Sequence, residues 1–386
     1  WNISDFHGYS TPFGTTYNAF LIVDEKVALV DCVKKEFGDE MLAKISRVID
    51  PKKIDVVISN HTEMDHSGSL ALVMHHIGKD KPVYCSKMGL KNLSLHFRQG
   101  LNLQAVANGE ELSLGKKTLK FMETRMVHWP DSMFTYVMED KLLFSSDGFG
   151  QHYAGFEEFD DEIGDGIMNH AKKYFANILM LYSPKILKLI EGVQDSGLEI
   201  DTICPDHGII WRKDPGKIID AYIRWSRQEG EKKALVIYDT MWHSTEMMAD
   251  AVASGISEEG VDVRPMHLRK WHRSDIMTEV QDARGIVIGS PTLNNGLFPT
   301  VSDFLTYMKG LKPKNKIGAA FGSFGWSGEA VRLINQELEA MKFDLLDAGL
   351  RIQYVPDQEG LDTAFDFGRR IGKAIVEKGS NPAQPD

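Results

Sequence analysis

The sequence predicts an α/β protein in two parts, a hairpin-rich α/β region followed by a doubly wound parallel sheet. Three observations carry this expectation. The chain has 386 residues, too many for one ordinary domain and suited to two. Ten of its 13 histidines lie at or before His207, and only His243, His267 and His272 follow. In the later part, apolar runs at 234–238, 261–266, 285–289, 317–322 and 351–355 alternate with helix-like stretches, the pattern of a five-stranded parallel sheet. The charged, glycine-containing run 227–233 reads as a linker. It sets the expected domains at 1–228 and 229–386.

Along the first part, residues 16–23 and 27–33 alternate around Asp24-Glu25-Lys26, a hairpin signal. Residues 134–138 and 142–146 repeat it around Glu139-Asp140-Lys141. Stretches 69–76 and 184–193 have helical periodicity. Hairpins exclude a purely parallel sheet here. The tail 379–386, rich in Pro, Asn and Ser, reads as disordered. A start at Trp1 rather than Met reads as a chain lacking its first segment.

Composition bounds the function. Hydrophobic residues make up 42% of the chain and both charge signs are interspersed, as in a globular protein. A net charge of −11 argues against nucleic acid as the main partner. No apolar run reaches the roughly 18 residues of a membrane span, and no signal peptide is recognisable. Cys32, Cys85 and Cys204 form no C-x-x-C pair. They read as buried packing residues in a reducing cytoplasm.

The densest chemistry lies in Asn60-His61-Thr62-Glu63-Met64-Asp65-His66, after the short apolar run 55–59. Alternation in an extended segment sends His61, Glu63 and Asp65 to one side. Two imidazoles and two carboxylates this close repel and desolvate one another unless a cation sits among them. His128, Asp147 and His207 each follow a strand-like run as well. Strand C-terminal edges are where α/β folds build sites. Seven ligands are too many for one tetrahedral zinc and suit two metals sharing a carboxylate. His75, His76, His96 and His170 read as surface or helix residues, and His152 as packing or solvent-facing.

A second constellation follows residues 234–238, in Asp239-Thr240-Met241-Trp242-His243-Ser244-Thr245-Glu246. Hydroxyls and backbone N–H groups at a helix N-terminus make an anion site. Without a Walker lysine or a G-x-G-x-x-G, such a loop suits one terminal phosphate, as in FMN. An ordinary N-cap is the plainer reading of the loop alone. Two more loops follow strands: Ser290-Pro291-Thr292-Leu293-Asn294-Asn295-Gly296 and Ser323-Phe324-Gly325-Trp326-Ser327-Gly328-Glu329.

The pattern His61-x-Glu63-x-Asp65-His66, His128, Asp147, His207 resembles the metallo-β-lactamase fold, an αββα sandwich, with Glu63 where zinc hydrolases usually carry His. The three later loops resemble the FMN site of flavodoxins. Together they resemble the flavodiiron proteins, the rubredoxin:oxygen oxidoreductase family, over nearly the whole chain. The resemblance implies one iron on His61, Glu63 and His128 and another on Asp65, His66 and His207. Asp147 and an oxo or hydroxo group would bridge them. It implies that Thr240, Met241, Trp242, Ser244 and Thr245 hold the FMN phosphate end. Asn294, Asn295 and the backbone of Gly325, Ser327 and Gly328 would contact the isoalloxazine edge, with Pro291, Thr292, Gly296 and Ser323 in the same FMN site. Trp326 is expected to cover a ring face, and Trp242 to share that role or pack in the core. His7 matches a position near the diiron pocket, with a role in proton supply or substrate contact. Family members often carry two tyrosines where this chain has Tyr174-Phe175, so a tyrosine facing the pocket from the second position is missing here.

The implied activity is reduction of O2 to water, of NO to N2O, or both, protecting an anaerobe. Electrons would come from a separate rubredoxin, or alternatively from a reduced deazaflavin. A head-to-tail homodimer or dimer of dimers would bring flavin and iron together. Two readings compete: a dizinc, thioesterase-like hydrolase fused to a flavodoxin module, and a pure electron carrier with an inert first domain.

Overall fold

A computed structural model describes residues 3–98 and 100–380. The chain separates into two compact units, one built mainly from Thr11–Phe175 and Tyr182–Ser226, the other mainly from Arg227 onward with Gly8–Ser10 and Ala176–Leu181. After two short strands, β1 (Asp5–Phe6) and β2 (Tyr9–Ser10), the first unit holds two five-stranded sheets.

The first sheet runs β3 (Phe20–Ile22), β4 (Val27–Val30), β5 (Ile54–Ser59), β6 (Pro82–Ser86), β7 (Asn102–Val106). The expected first hairpin is β3–β4, antiparallel with Phe20 opposite Val30, and the other neighbours are parallel. The second sheet contains β8 (Glu111–Ser113), β9 (Thr118–Glu123), β10 (Met133–Val137), β11 (Leu142–Phe144) and β12 (Thr202–Cys204), in the order β12-β11-β10-β9-β8. Its second hairpin is β10–β11.

Strand alternation explains how the sheets stack. Ala28, Val30, Val56 and Ile58 from the first sheet share a core with Phe121, Met133, Val137, Phe144 and Cys204 from the second. The intervening residues Val27, Leu29 and Val57 face the other way, onto Met41, Leu42 and Ile45 of helix Gly38–Ser46 and Leu70 and Val73 of helix Leu70–Ile77. Residues i and i+2 share a face of a pleated strand, so one apolar run serves two cores. On the far side, Tyr222 of helix Pro215–Arg227 packs its ring 4.6 Å from Phe149. The result is the αββα sandwich.

The second unit has one parallel sheet, β14 (Asp262–His267), β13 (Glu231–Tyr238), β15 (Ala283–Gly289), β16 (Ile317–Phe324), then β17 (Asp344–Leu345), with β18 (Leu350–Gln353) also on β16. The expected fifth strand, 351–355, corresponds to β18, and the additional short strand β17 also lies parallel to β16. Gly349 separates the two: at φ +87°, a Cβ there would lie 2.6 Å from the Ala320 carbonyl oxygen.

Two boundary expectations change. Residues 231–233, expected in the linker, are the start of β13, and the helix before it ends at Arg227. Arg284 donates to the Gly230 carbonyl at 2.6 Å and ties this short connection down. The last helix runs Gln358–Ser380, so 379 and 380 are helical, and 381–386 lie outside the described residues.

Candidate functional site

All four strand ends singled out in the first unit converge. His61 follows β5, His128 lies beyond β9, and Asp147 and His207 follow β11 and β12. The parallel register Phe144 opposite Cys204 brings the last two chains out side by side. The Met133 N–H donates to the Asn60 carbonyl at 3.0 Å and holds the loop of one sheet against the other.

The seven side chains divide into two groups, His61, Glu63, His128, Asp147 and Asp65, His66, His207, with ligand atoms inside each group within 4.8 Å of one another. The extended geometry expected for 61–65 holds only to Glu63. A helical turn, Met64–Ser67, follows, with the Ser67 hydroxyl donating to the carbonyls of Thr62 and Glu63. That turn swings Asp65 and His66 away from His61 and Glu63. One short sequence thereby feeds both groups.

Asp147 stands between them. Its Oδ2 lies 2.9 Å from His128 Nε2 and 3.4 Å from His61 Nε2, and its Oδ1 lies 3.2 Å from His66 Nε2 and 3.4 Å from His207 Nε2. Each carboxylate oxygen therefore faces one group. The Tyr174 hydroxyl donates to Oδ1 at 2.9 Å. Electrostatics follow from burial. Burial opposes the Asp147 charge, yet the imidazoles of His66, His128 and His207 hold its carboxyl well below the usual range. Burial likewise opposes charge on Glu63, but His128 and His61 bring it down to about 2. Burial disfavours the charged ring of His66, while Asp65 and Asp147 push it up to about 9. These groups bind positive charge in concert. The donor set fits metal ions: Asp65 Oδ1 and both ring nitrogens of His66 are buried without a hydrogen-bond partner, which is costly unless a cation takes that place.

The outer nitrogens differ in their support. His61 Nδ1 lies 3.1 Å from Asp131 Oδ2, and His207 Nδ1 lies 2.7 Å from the Thr16 carbonyl oxygen. His66 Nδ1 is 3.6 Å from Asp206 Oδ2, and burial raises the Asp206 carboxyl to about 6.

Several expectations need correction. Tyr174, not the second position of the pair, faces the site. Phe175 is fully buried against Tyr222 and Trp225, at 5.1 and 5.5 Å between ring centroids. Of the two readings of His152, packing holds and solvent exposure does not: its Nδ1 lies 2.7 Å from the Thr15 hydroxyl and its ring 4.9 Å from that of His207. Burial and the neighbouring His207 hold it well below the usual histidine range, hence neutral. His7 is exposed and packs on Phe6 at 4.6 Å, while Phe6 packs on His152 at 4.9 Å. His75, His76 and His96 are exposed helix residues, His170 is half-buried on helix Ile167–Tyr174, and all three cysteines are buried and unpaired.

In the second unit a cleft of about 700 Å3 opens at the C-terminal ends of the strands. Met241, Trp242, Ser244, Pro291, Thr292, Asn294, Asn295, Ser323, Gly325, Trp326 and Ser327 line it, as expected from the three loops. Four of the expected residues stand outside the lining. Thr240 is buried behind it, and its hydroxyl has no hydrogen-bond partner. Thr245 is committed to the Ser323 hydroxyl at 2.8 Å. Gly296 closes a tight turn with Leu293, and Gly328 abuts Phe324 and Arg351. Trp242 is 84% exposed and Trp326 88%, so core packing is ruled out for both. Tyr354, 62% exposed, is a third aromatic wall that the sequence reading missed. An aromatic at the end of the fifth apolar run was the available signal. A planar ring system with a phosphate tail fits this cleft: aromatic walls, polar loop edges, and the orphaned Thr240 hydroxyl beside the N-terminus of helix Ser244–Glu258.

Comparisons agree with this geometry. A family model described as ODP family beta lactamase matches residues 15–208, and the flavodoxin model matches 236–368. The chain is 46% identical to a nitric oxide reductase of Moorella thermoacetica over 98% of its own length and 96% of the relative's. It superposes on rubredoxin oxygen:oxidoreductase from the anaerobe Desulfovibrio gigas with a TM-score of 0.97 at 41% identity, covering 99% of this chain and 96% of that one. The flavodiiron protein from Giardia intestinalis follows with a TM-score of 0.95 at 36% identity, over 98% and 94% of the two chains. The first two of these relatives carry oxidoreductase names, which sets the hydrolase reading aside. With its two-group ligand cluster, its aromatic-walled cleft and these relatives, the chain belongs to the flavodiiron family of oxidoreductases.

Proposed function

We propose that this chain reduces O2 to water, NO to N2O, or both, at two irons held by the seven clustered side chains, with FMN in the aromatic-walled cleft. The observation that carries the reading is Asp147, whose two oxygens each face one ligand group. We assign His61, Glu63 and His128 to one iron and Asp65, His66 and His207 to the other, with Asp147 bridging. Residues 1–228 form the diiron domain and 229–386 the flavin domain in this assignment.

When bound, FMN and two ferrous ions together supply four electrons, the number that takes O2 and four protons to two waters, while two electrons and two protons take two NO to N2O and water. The side chains do the rest. Asp147, its carboxyl held well below the usual range by surrounding imidazoles, would offer one anionic oxygen to each iron. Tyr174 fixes that carboxylate through its O–H. His152, neutral and buried, walls the His207 side. Glu63 is the most open of the seven, with 22% of its side chain exposed. We assign His7 a part in proton supply or substrate contact, supported by its edge-on contact with Phe6, whose ring in turn lies 4.9 Å from that of His152.

A separate rubredoxin is the assigned electron donor, with a reduced deazaflavin as the alternative. A head-to-tail dimer, alone or paired into a dimer of dimers, is the assigned assembly. Exposed Met241, Trp242, Trp326, Tyr354 and Val355 around one cleft support a covering partner. Among the described residues no helix is long and apolar enough to cross a membrane, and buried free thiols suit a cytoplasmic setting.

The deciding experiment quantifies iron and flavin, reduces the protein fully without oxygen, and mixes it with O2 or NO in a stopped-flow instrument. About two irons and one FMN per chain, with rapid reoxidation by either gas, is the expected result, and the faster gas is the assigned substrate. Bound zinc with only slow flavin oxidation overturns the proposal.

A further inference from the structure

We propose that Asp131 is the positioning residue for His61, holding its imidazole with Nε2 turned into the cluster, and that helix Lys87–His96 fixes Asp131 in turn. The inference deepens the diiron reading above and rests on it. The Asp131 side chain is buried and fully engaged. Its Oδ2 accepts the Thr62 N–H at 2.8 Å and faces His61 Nδ1 at 3.1 Å. Its Oδ1 accepts the Asn92 amide at 3.1 Å, and the same amide reaches the Thr62 hydroxyl at 3.2 Å. The Asp131 carbonyl accepts the Ser86 hydroxyl at 2.7 Å, and that hydroxyl also caps the helix by accepting the Gly89 N–H at 3.0 Å.

The logic is that of donor and acceptor counting. A carboxylate only accepts, so the nitrogen of His61 facing Asp131 must carry the proton. That leaves Nε2 with its lone pair free to bind a metal, 3.3 Å from Glu63 Oε2 and 3.4 Å from Asp147 Oδ2. The bond also fixes the ring plane and strengthens the ligand. Asp131 touches no reacting atom; it acts through His61. The support is uneven across the cluster: His207 leans on a backbone carbonyl, and His66 has no hydrogen bond to Asp206.

The test uses the full chain, cleared of metal and reloaded with Co2+, whose visible bands report ligand geometry. Wild-type protein takes up two Co2+ per chain. Asp131→Asn keeps the shape, removes the charge and sets an NH2 against the Asn92 amide. One of the two Co2+ then binds about 10- to 100-fold more weakly, with shifted bands, while circular dichroism and FMN content stay at wild-type values. The swapped pair Asp131→Asn with Asn92→Asp restores donor to acceptor and recovers most of the loss. Unchanged affinity and bands in Asp131→Asn overturn the proposal, as does equal weakening of both metals. If that variant does not fold, Asn92→Ala removes only the donor to Oδ1 and weakens the same metal by about 3- to 10-fold; a wild-type isotherm for it also overturns the proposal. A wild-type chain that binds two Co2+ but neither keeps iron nor reacts with either gas sinks the reductase reading and leaves the Asp131 result readable.

Discussion

Replacing Trp326 by alanine should weaken FMN binding by roughly 30- to 150-fold. The ring is 88% exposed at the mouth of the cleft, so the free protein gains nothing from it. A tryptophan side chain offers about 200 Å2 of contact surface. A flavin covering one face removes roughly 100 Å2 from water, about 2.5 kcal/mol at 25 cal/mol per Å2. Offset stacking adds about 1 kcal/mol, and fixing a mobile side chain costs about 1 kcal/mol. The net of about 2–3 kcal/mol corresponds to the stated change in Kd. Titrating deflavinated protein with FMN and following flavin fluorescence measures it directly. Trp326→Phe keeps a ring face and should lose less than about 5-fold on the same grounds. A Trp326→Ala constant within about 3-fold of wild type would refute the stacking argument, because the area term alone exceeds that.

Tyr174→Phe removes a buried donor to the Asp147 carboxylate; such a bond to a charged group is worth about 1.5–3 kcal/mol, so iron release to a chelator should quicken by about 10-fold or more, timed by absorbance. Gly255→Ala places a Cβ 2.0 Å from the Phe365 carbonyl oxygen, forcing helix Ser244–Glu258 off helix Gln358–Ser380; an overpacking cost of about 3 kcal/mol should lower the melting midpoint of the second unit by roughly 6–12 °C, read by calorimetry. Lys316 is buried and donates to the carbonyls of Gln281 and Ala283, and burial pushes its ammonium from 10.5 down to about 7. Between these two values the unfolded chain holds the extra proton, so stability should rise with pH from about 7 to 10.5, by at most about 5 kcal/mol. Below about 7 both states are protonated and the cost is constant. Lys316→Met should flatten that rise in urea midpoints taken across the same window, and an unchanged slope would count against the buried-cation account.

Much of the architecture was legible in the chain itself. Apolar runs of the right length became the centres of β5, β13, β15 and β16, because strand positions buried on both faces are mainly apolar, whereas β9 alternates and buries only Leu119 and Phe121. Polar tripeptides between alternating runs became the β3–β4 and β10–β11 turns. The seven clustered ligands were readable because imidazoles and carboxylates at strand ends have few other reasons to gather. Local pattern failed where the reason is long-range. The short strand β17 was not foreseen, and Gly349 separates it from β18 because the backbone of β16 passes too close there for a side chain. Tyr174 rather than Phe175 meets the cluster because the aromatic packing of Tyr222 and Trp225 claims the next position.

By itself, then, the sequence marked the candidate metal-binding side chains and the three loops of the flavin cleft, though not Tyr354, since donor chemistry and strand-end placement are local properties. Only the tertiary structure decided how they are shared out. A single helical turn after Glu63 sends one run of ligands to two groups, and the register of β11 against β12 sets Asp147 between them. Asp131 joined the site the same way, from a loop 70 residues away, because hydrogen-bond partners are chosen by distance in space and leave no periodicity to read.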